Sequence, residues 1–528
     1  MPSDCISYQK TGFFTELILD YLDQKQNIAP LYHRFPKLEN FKAQIHEKQS
    51  NYSADRNNLA DVLLRQYENV ETSEATNSNI ESLRAVNTFT ITTGHQLNLF
   101  TGPMYFLYKI ISTINLTTTL KAEYPENNFV PVYWMATEDH DFDEINYFNF
   151  KGKKFRWSRE SSGAVGRLST DGLDDFFTVF SANLGVGKNA AELKRLFSDA
   201  YLKNKNLTDA TRFLANELFG DHGLVIIDGD DRELKREFIP FVKEELETQI
   251  SHQKVAETSL LLKQYNVQVN PREINLFYLD ENLRERIVLE NGQYIVNNSN
   301  LRFSKEELLK LVDAEPEKFS PNVIMRPLYQ EVILPNLCYI GGGGEIAYWL
   351  QLKSFFEASR ITFPMLLLRN SALIASKKQS EKLEKLHLNW EQLFLKHDDL
   401  LNNVIETLSD KELHFTDLKK ALEVQFDTLK SIAEQTDKSF VGAVKAQEHK
   451  QLRGLENLEK KLRRAEKRKH AEQLERIISL QDELFPFHSL QERFSNFSEF
   501  YLEYGGSLIE NLIAELDPTD LNFKIVVA

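Results

Sequence analysis

"NTFTITTGHQLNLFTGPMYFLYKI", residues 87–110, decides how the chain is read. Its opening residues alternate and are β-branched, which predicts a strand ending near Thr93. Pro103 suits a first helical turn and Thr101 its cap, so a helix is expected to run to about Lys121. "FVPVYWMA" (129–136) reads as the next strand. Strand, loop, helix and strand over about 50 residues make a βαβ unit. Between the first strand and the helix, Gly94, His95, Gln96, Asn98, Thr101 and Gly102 crowd one short loop. That is more turn-forming and hydrogen-bonding chemistry than a connection needs, and it reads as one wall of a ligand cleft.

The same alternation recurs outward from this unit. "GLVIIDGDDRELKREFIPFVKEEL" (223–246) is a buried strand, an acidic turn and an amphipathic helix. "LCYIGGGGEIAYWLQLKSFFEAS" (337–359) is strand, glycine turn and helix, and "FPMLLLRNSALI" (363–374) supplies another strand. The stretch 276–297 reads as a β-meander with Asn291-Gly292 as a hairpin turn. The expected fold is α/β: a Rossmann-like, mainly parallel sheet core with insertions, plus a C-terminal α-helical coiled-coil domain. The expected organisation is an N-terminal helical segment at 1–85, the core at 86–375 with an insertion at about 150–215, the coiled coil at 376–500, and a C-terminal segment at 501–528 returning to the core. In the coiled coil, Leu418, Leu422, Phe426 and Leu429, then Leu455, Leu458 and Leu462, form seams that predict two long antiparallel helices with a break near Gly442. "NFKIVVA" (522–528) is expected to add a strand to the main sheet.

Composition narrows the function classes. A formal net charge of −15 argues against a general nucleic-acid binder, which needs a basic surface. Two cysteines, Cys5 and Cys338, exclude a disulfide framework and a cysteine metal cluster and fit a reducing cytoplasm. No signal peptide or membrane-spanning run is evident. Cys338 reads as core. "NLGVGKNA" (183–190) fails as a phosphate-binding loop, because Ala182 and Asn189 stand where the pattern needs Gly and Ser or Thr.

In an open parallel sheet, ligands sit beyond the carboxyl ends of the strands. Three such ends are polar or glycine-rich. The first is the loop already quoted, where Tyr105 and Lys109 lie four apart on one helix face. The second, "TEDHDFDEIN" (137–146), gathers Glu138, Asp139, His140 and Asp141. Carboxylates beside a histidine orient it as a general base, and the same cluster suits Mg²⁺ carried with a nucleotide. Zinc is not expected there, for want of a second histidine at ligand spacing, and no resident metal is expected. The third, "GGGGEIAYW" (341–349), lets backbone amides approach a phosphate or carboxylate through Gly343 and Gly344, with Glu345 and Tyr348 following. Arg326, Tyr329 and Gln330 form a candidate carboxylate clamp.

"TTGHQLNLFTGPMYFLYKI", "PVYWMATEDHDFDEIN", "RPLYQEVILPNLCYIGGGGEIAYWLQLK" and "LQERFSNF" together resemble the cysteine-adding enzymes of bacillithiol synthesis, a cysteine-ligase family, over nearly the whole chain. The resemblance implies a Rossmann-like core related to class I aminoacyl-tRNA synthetases and a coiled coil that forms a homodimer. It implies addition of cysteine to the amino group of glucosaminyl malate, giving the low-molecular-weight thiol bacillithiol. Gly94, His95 and Gln96 would then stand where the synthetase relatives carry their "HIGH" signature, without matching it literally. The family pattern Phe-Pro-Asn-Gly before "LQER" is here Phe485, Pro486, Phe487 and His488. The expected catalytic group is His140 with Asp139 or Asp141. Cysteine, glucosaminyl malate and a nucleotide are the expected small-molecule partners, with no nucleic acid and no membrane. ATP with Mg²⁺ is the expected cosubstrate, and no tightly bound organic cofactor is expected. The alternatives are another ATP-dependent ligase or nucleotidyl transferase on the same fold, or a coiled-coil scaffold without activity.

Overall fold

The computed structural model describes residues 3–410 and 412–528. The chain forms two compact units. The first comprises Met1–Gln9, Phe13–Leu373 and Ser489–Val526, and the second is mainly Ile374–His488.

The first unit is built on a five-stranded sheet. In chain order, β1 (Ser3–Ser7) precedes β2 (Thr88–His95), β3 (Asn128–Met135) and β4 (Val225–Asp228). A meander of β5 (Leu276–Asp280), β6 (Leu283–Glu290) and β7 (Gln293–Val296) follows. Then come β8 (Asn336–Gly341), β9 (Met365–Leu368) and finally β10 (Asn522–Val527). The sheet order is β9-β8-β2-β3-β4, with parallel pairing throughout. Phe89, Ile91, Phe129, Leu337, Cys338, Ile340, Met365 and Leu367 share one buried cluster. Strands buried on both faces explain their near-continuous apolar runs. The chain steps outward from β2 through β3 to β4, then returns to lay β8 on the other side of β2. The crevice between the ends of β2 and β8 is therefore the switch point where ligands bind in such sheets.

Helix α1 (Tyr105–Glu123) follows β2, α2 (Arg232–Thr248) follows β4, α3 (Met325–Ile333) leads into β8 and α4 (Gly343–Leu350) leaves it. Asn291 and Gly292 both take the left-handed backbone of a tight hairpin turn, as their sequence predicts. The stretch 1–85 is not purely helical, because β1 lies in it. Strand β2 runs two residues past Thr93. Thr101 caps nothing: it sits at φ 69° inside a 3-10 turn, and Met104 opens α1 without a side-chain cap. β10 does not join the parallel sheet either. It pairs antiparallel with β1, from Ser3 opposite Val526 to Ser7 opposite Asn522.

In the second unit, α5 (His397–Leu408) precedes the hairpin of α6 (Thr416–Glu434) and α7 (Lys438–Lys469), and α8 (Ala471–Leu484) follows. Lys430 pairs with Glu448 and Lys419 with Glu459, so register retreats along α7 as it advances along α6, and the helices are antiparallel. The turn falls at 435–437, not near Gly442, which lies inside α7. Asp437 fixes it by accepting from the backbone N–H groups of Ser439 and Phe440. Phe426, Ala433 and Val444 form the seam, with Leu422 and Val441 against it.

Candidate active site

A cleft of about 990 Å³ opens at the switch point. Three strand ends reach it: β2 with Gly94 and His95, β3 with Glu138 to Asp141, and β8 with the glycine turn. The meander adds Arg284 and Arg286. Gly341 is required by close approach, since a Cβ there would lie 2.9 Å from that of Glu345.

The first wall is buried. His95 is buried against Tyr105 and Phe106 at ring distances of 5.5 and 5.1 Å, and its Nε2 has no hydrogen-bond partner. Burial, then the charges of Lys109 and Arg369, push its pKa well below the ordinary histidine value, so it is neutral at physiological pH. Lys109 is buried. It donates to Gly94 O at 2.7 Å and pairs with Glu345 at 2.5 Å. Burial pulls the lysine pKa down, against the opposing effect of Glu345. Burial raises Glu345, but Lys109, the Gly342 N–H and the Tyr339 hydroxyl together outweigh it and hold the carboxyl below its usual range.

The glycine turn differs from its expected use. Glu345 accepts from the N–H of its own Gly342 at 2.9 Å and from Tyr339 Oη at 2.7 Å. A carboxylate of the chain thus already caps α4, where an external anion was expected. Gly343 and Gly344 remain on the cleft wall.

The acidic loop is organised by arginine. Gln96 Nε2 donates to Asp139 at 3.1 Å and to Glu144 at 2.9 Å. Burial raises Asp139, yet Arg284, Gln96 and Arg326 outweigh it and the net shift is downward. Arg284 Nη1 lies 2.6 Å from His140 Nδ1. Arginine can only donate, so Nδ1 accepts and the ring proton sits on Nε2. Behind them Glu138 is tied to Lys235 at 2.6 Å, which also meets Asp230 at 3.1 Å. Burial raises the Glu138 pKa despite Lys235. Among the described residues Arg326 finds only the Tyr348 hydroxyl, at 3.3 Å. Arg369 is held by buried Glu492 at 2.7 Å and lies over the Tyr105 ring, but its Nε has no partner.

The family model for the bacillithiol biosynthesis BshC N-terminal Rossmann-like domain matches residues 1–370, and that for the BshC C-terminal coiled-coil domain matches 372–528. The chain belongs to the BshC family. The "Putative cysteine ligase BshC" of Flavobacterium johnsoniae is 62% identical over 527 residues, all of both chains. The protein of the same name from Christiangramia forsetii is 56% identical, covering 100% of this chain and 99% of its own. The one from Bacillus thuringiensis is 27% identical over 94% of this chain and 95% of its own.

Of the residues expected to form this BshC-family site, Gly94, His95, Gln96, Tyr105, Lys109, Glu138, Asp139, His140, Asp141, Arg326, Gly343, Gly344, Glu345 and Tyr348 line one cleft. Four do not. Thr101 and Gly102, in the same loop, are buried away from the cleft, and Gly102 O accepts from Asn496 Nδ2 at 2.6 Å. Tyr329 donates to Gly229 O at 2.7 Å and packs on Trp134 and Phe238. Gln330 is buried beside Glu331. Sequence reasoning missed Arg272, Arg284, Arg286, Arg369 and Arg493, which also line the cleft, and Glu492, which holds Arg369. The signals on offer were "LQER", which contains Glu492 and Arg493, and the end of the strand in "FPMLLLRNSALI", where Arg369 follows directly.

Proposed function

We propose that the cleft forms the amide bond between the carboxyl group of cysteine and the amino group of glucosaminyl malate, the closing step of bacillithiol synthesis, in the cytoplasm. The observation that carries this reading is the mixed charge of one cavity. Arg272, Arg284, Arg286, Arg326 and Arg493 line it, among the described residues without a carboxylate partner closer than the 3.8 Å between Arg284 and Asp139, and Asp139, Asp141 and Glu144 face them. Malate brings two carboxylates, which suit forked guanidinium groups, and each substrate brings an ammonium, which suits the acidic loop.

Arg326 and Arg284 bind the malate carboxylates, and ionised Asp139 holds an ammonium. A carboxylate that draws Arg284 away frees the Nδ1 lone pair of His140. His140 then takes a proton from the sugar amine, whose nitrogen attacks the activated carboxyl carbon of cysteine as the leaving group departs. ATP with Mg²⁺ would supply that activation, as an adenylate or acyl phosphate. The residues that fit it are the unpartnered Nε2 of His95 and Nε of Arg369 for phosphate and Asp141 and Glu144 for the metal. Buried Lys109, already paired with Glu345, positions the first wall.

The coiled coil is assigned a homodimer interface. Leu418, Val424, Leu429, Ile432, Phe440 and Leu458 are large apolar residues exposed on α6 and α7. Light scattering of the intact chain reads this directly, and a monomeric mass at micromolar concentration rejects it. Among the described residues no helix is long and apolar enough to cross a membrane.

The test of the reaction is mass spectrometry of protein incubated with cysteine and glucosaminyl malate, with and without ATP and Mg²⁺. Bacillithiol formed together with AMP or ADP is the expected result. Folded protein that yields no product under either condition removes the proposal.

A further inference from the structure

The second unit contains a cluster of side chains outside the cleft. His397 opens α5, Asp482 lies near the end of α8 and His488 ends the turn that follows it. One ligand atom from each lies within 4.8 Å of the other two. The two imidazole rings have centroids 5.6 Å apart at 69°. The chain has only 12 histidines in 528 residues, so a meeting of two around a carboxylate is not a product of abundance. Among the described residues, none of the three side chains has a hydrogen bond or ion pair elsewhere. Phe487 and His488 both take left-handed backbone, at φ 54° and 58°, a conformation disfavoured for residues with a Cβ. It brings His488 back to His397.

We infer that His397, Asp482 and His488 form a binding site for a divalent transition ion of the zinc class. Two imidazoles and one carboxylate are a donor set for Zn²⁺, Co²⁺ or Ni²⁺, whereas Ca²⁺ and Mg²⁺ ask for oxygen alone. Bond lengths of about 2.0–2.2 Å around a tetrahedral ion place ligand atoms roughly 3.3–3.5 Å apart. Half-buried His397 and the exposed Asp482 and His488 close that gap by side-chain rotation. The fourth position is left to water. The ion would pin the start of α5 to the end of α8 and so fix the base of the helical hairpin within this unit.

The experiment uses the full chain, stripped with a chelator, dialysed free of it and titrated with ZnCl₂ by calorimetry. Co²⁺ absorption serves as a second readout of coordination geometry. Binding with Kd on the order of 1 µM is expected, with tetrahedral Co²⁺ bands in the visible. The double variant His397→Ala/His488→Ala should lose this binding by about 100-fold or more, and Asp482→Asn should weaken it by about 10-fold. Circular dichroism in chelator should show both variants folded like the parent. A double variant that binds Zn²⁺ as the parent does overturns the inference, as does a parent that binds no tighter than about 1 mM. Zinc held by the acidic loop of the cleft would survive the double variant, so that source is told apart.

Discussion

The cleft and the helical hairpin use charge in opposite ways. Around the cleft, three sets of largely buried ionisable groups are locked to one another: Arg369 with Glu492, Lys109 with Glu345, Lys235 with Glu138 and Asp230. Along α6 and α7 the pairs are more exposed, as in Lys430 with Glu448 and Lys419 with Glu459. A buried charge that loses its partner retains its full desolvation cost, whereas water takes over at the surface. Pairs of opposite charge therefore organise a reaction space in one unit and set helix register in the other.

The largest break in this contrast is expected from Glu492→Ala. It strands Arg369 and should cost about 3–5 kcal/mol in a denaturant melt. The pair replacement Arg369→Met/Glu492→Leu should recover most of that loss while still lacking activity. Next comes Arg326→Ala, which removes a side chain held by the Tyr348 phenol. It should lower kcat/KM for glucosaminyl malate about 100-fold or more and move the melting temperature little. Lys in its place should recover little, because it lacks the fork.

A pH series sharpens the comparison further. The folded pKa of Asp139 lies below its ordinary value, so its stabilising contribution is complete above about pH 3.8 and is lost as pH falls through the lower folded value. Thermal melts across that acid range should fall less steeply for Asp139→Asn than for the parent. The smallest effect belongs to the hairpin. Glu459→Gln should shift the melting temperature by no more than about 2 °C, and added salt should shrink that difference. A drop as large as that of Glu492→Ala would erase the distinction between the two regions.

The parallel strands were legible because burial on both faces leaves apolar, β-branched runs such as "NTFTITT" and "LVIID". The three polar strand ends were legible because the sheet rule says where to look. What escaped depends on distant partners. Arg284 reaches His140 only because the meander lies against the acidic loop that follows β3, and Arg369 meets Glu492 across more than a hundred residues. Tyr329 and Gln330 were misplaced because helical spacing groups residues by face without saying which face looks inward. The hairpin turn was misplaced because Gly442 is merely tolerated inside α7, while Asp437, a stronger signal, caps the helix.

The pairing of β1 with β10 also sets a timetable for synthesis. Residues 3–7 emerge from the ribosome before every other described element, yet their partner is complete only when residue 526 has been made. At about 5–20 residues per second, that strand waits on the order of a minute with its edge unpaired. The parallel sheet, whose last strand ends at Leu368, has all its residues well before then. A nascent chain halted within the hairpin would therefore carry a finished sheet and an open strand edge, the form in which it is most exposed to chaperones, to proteases and to other unfinished copies of itself.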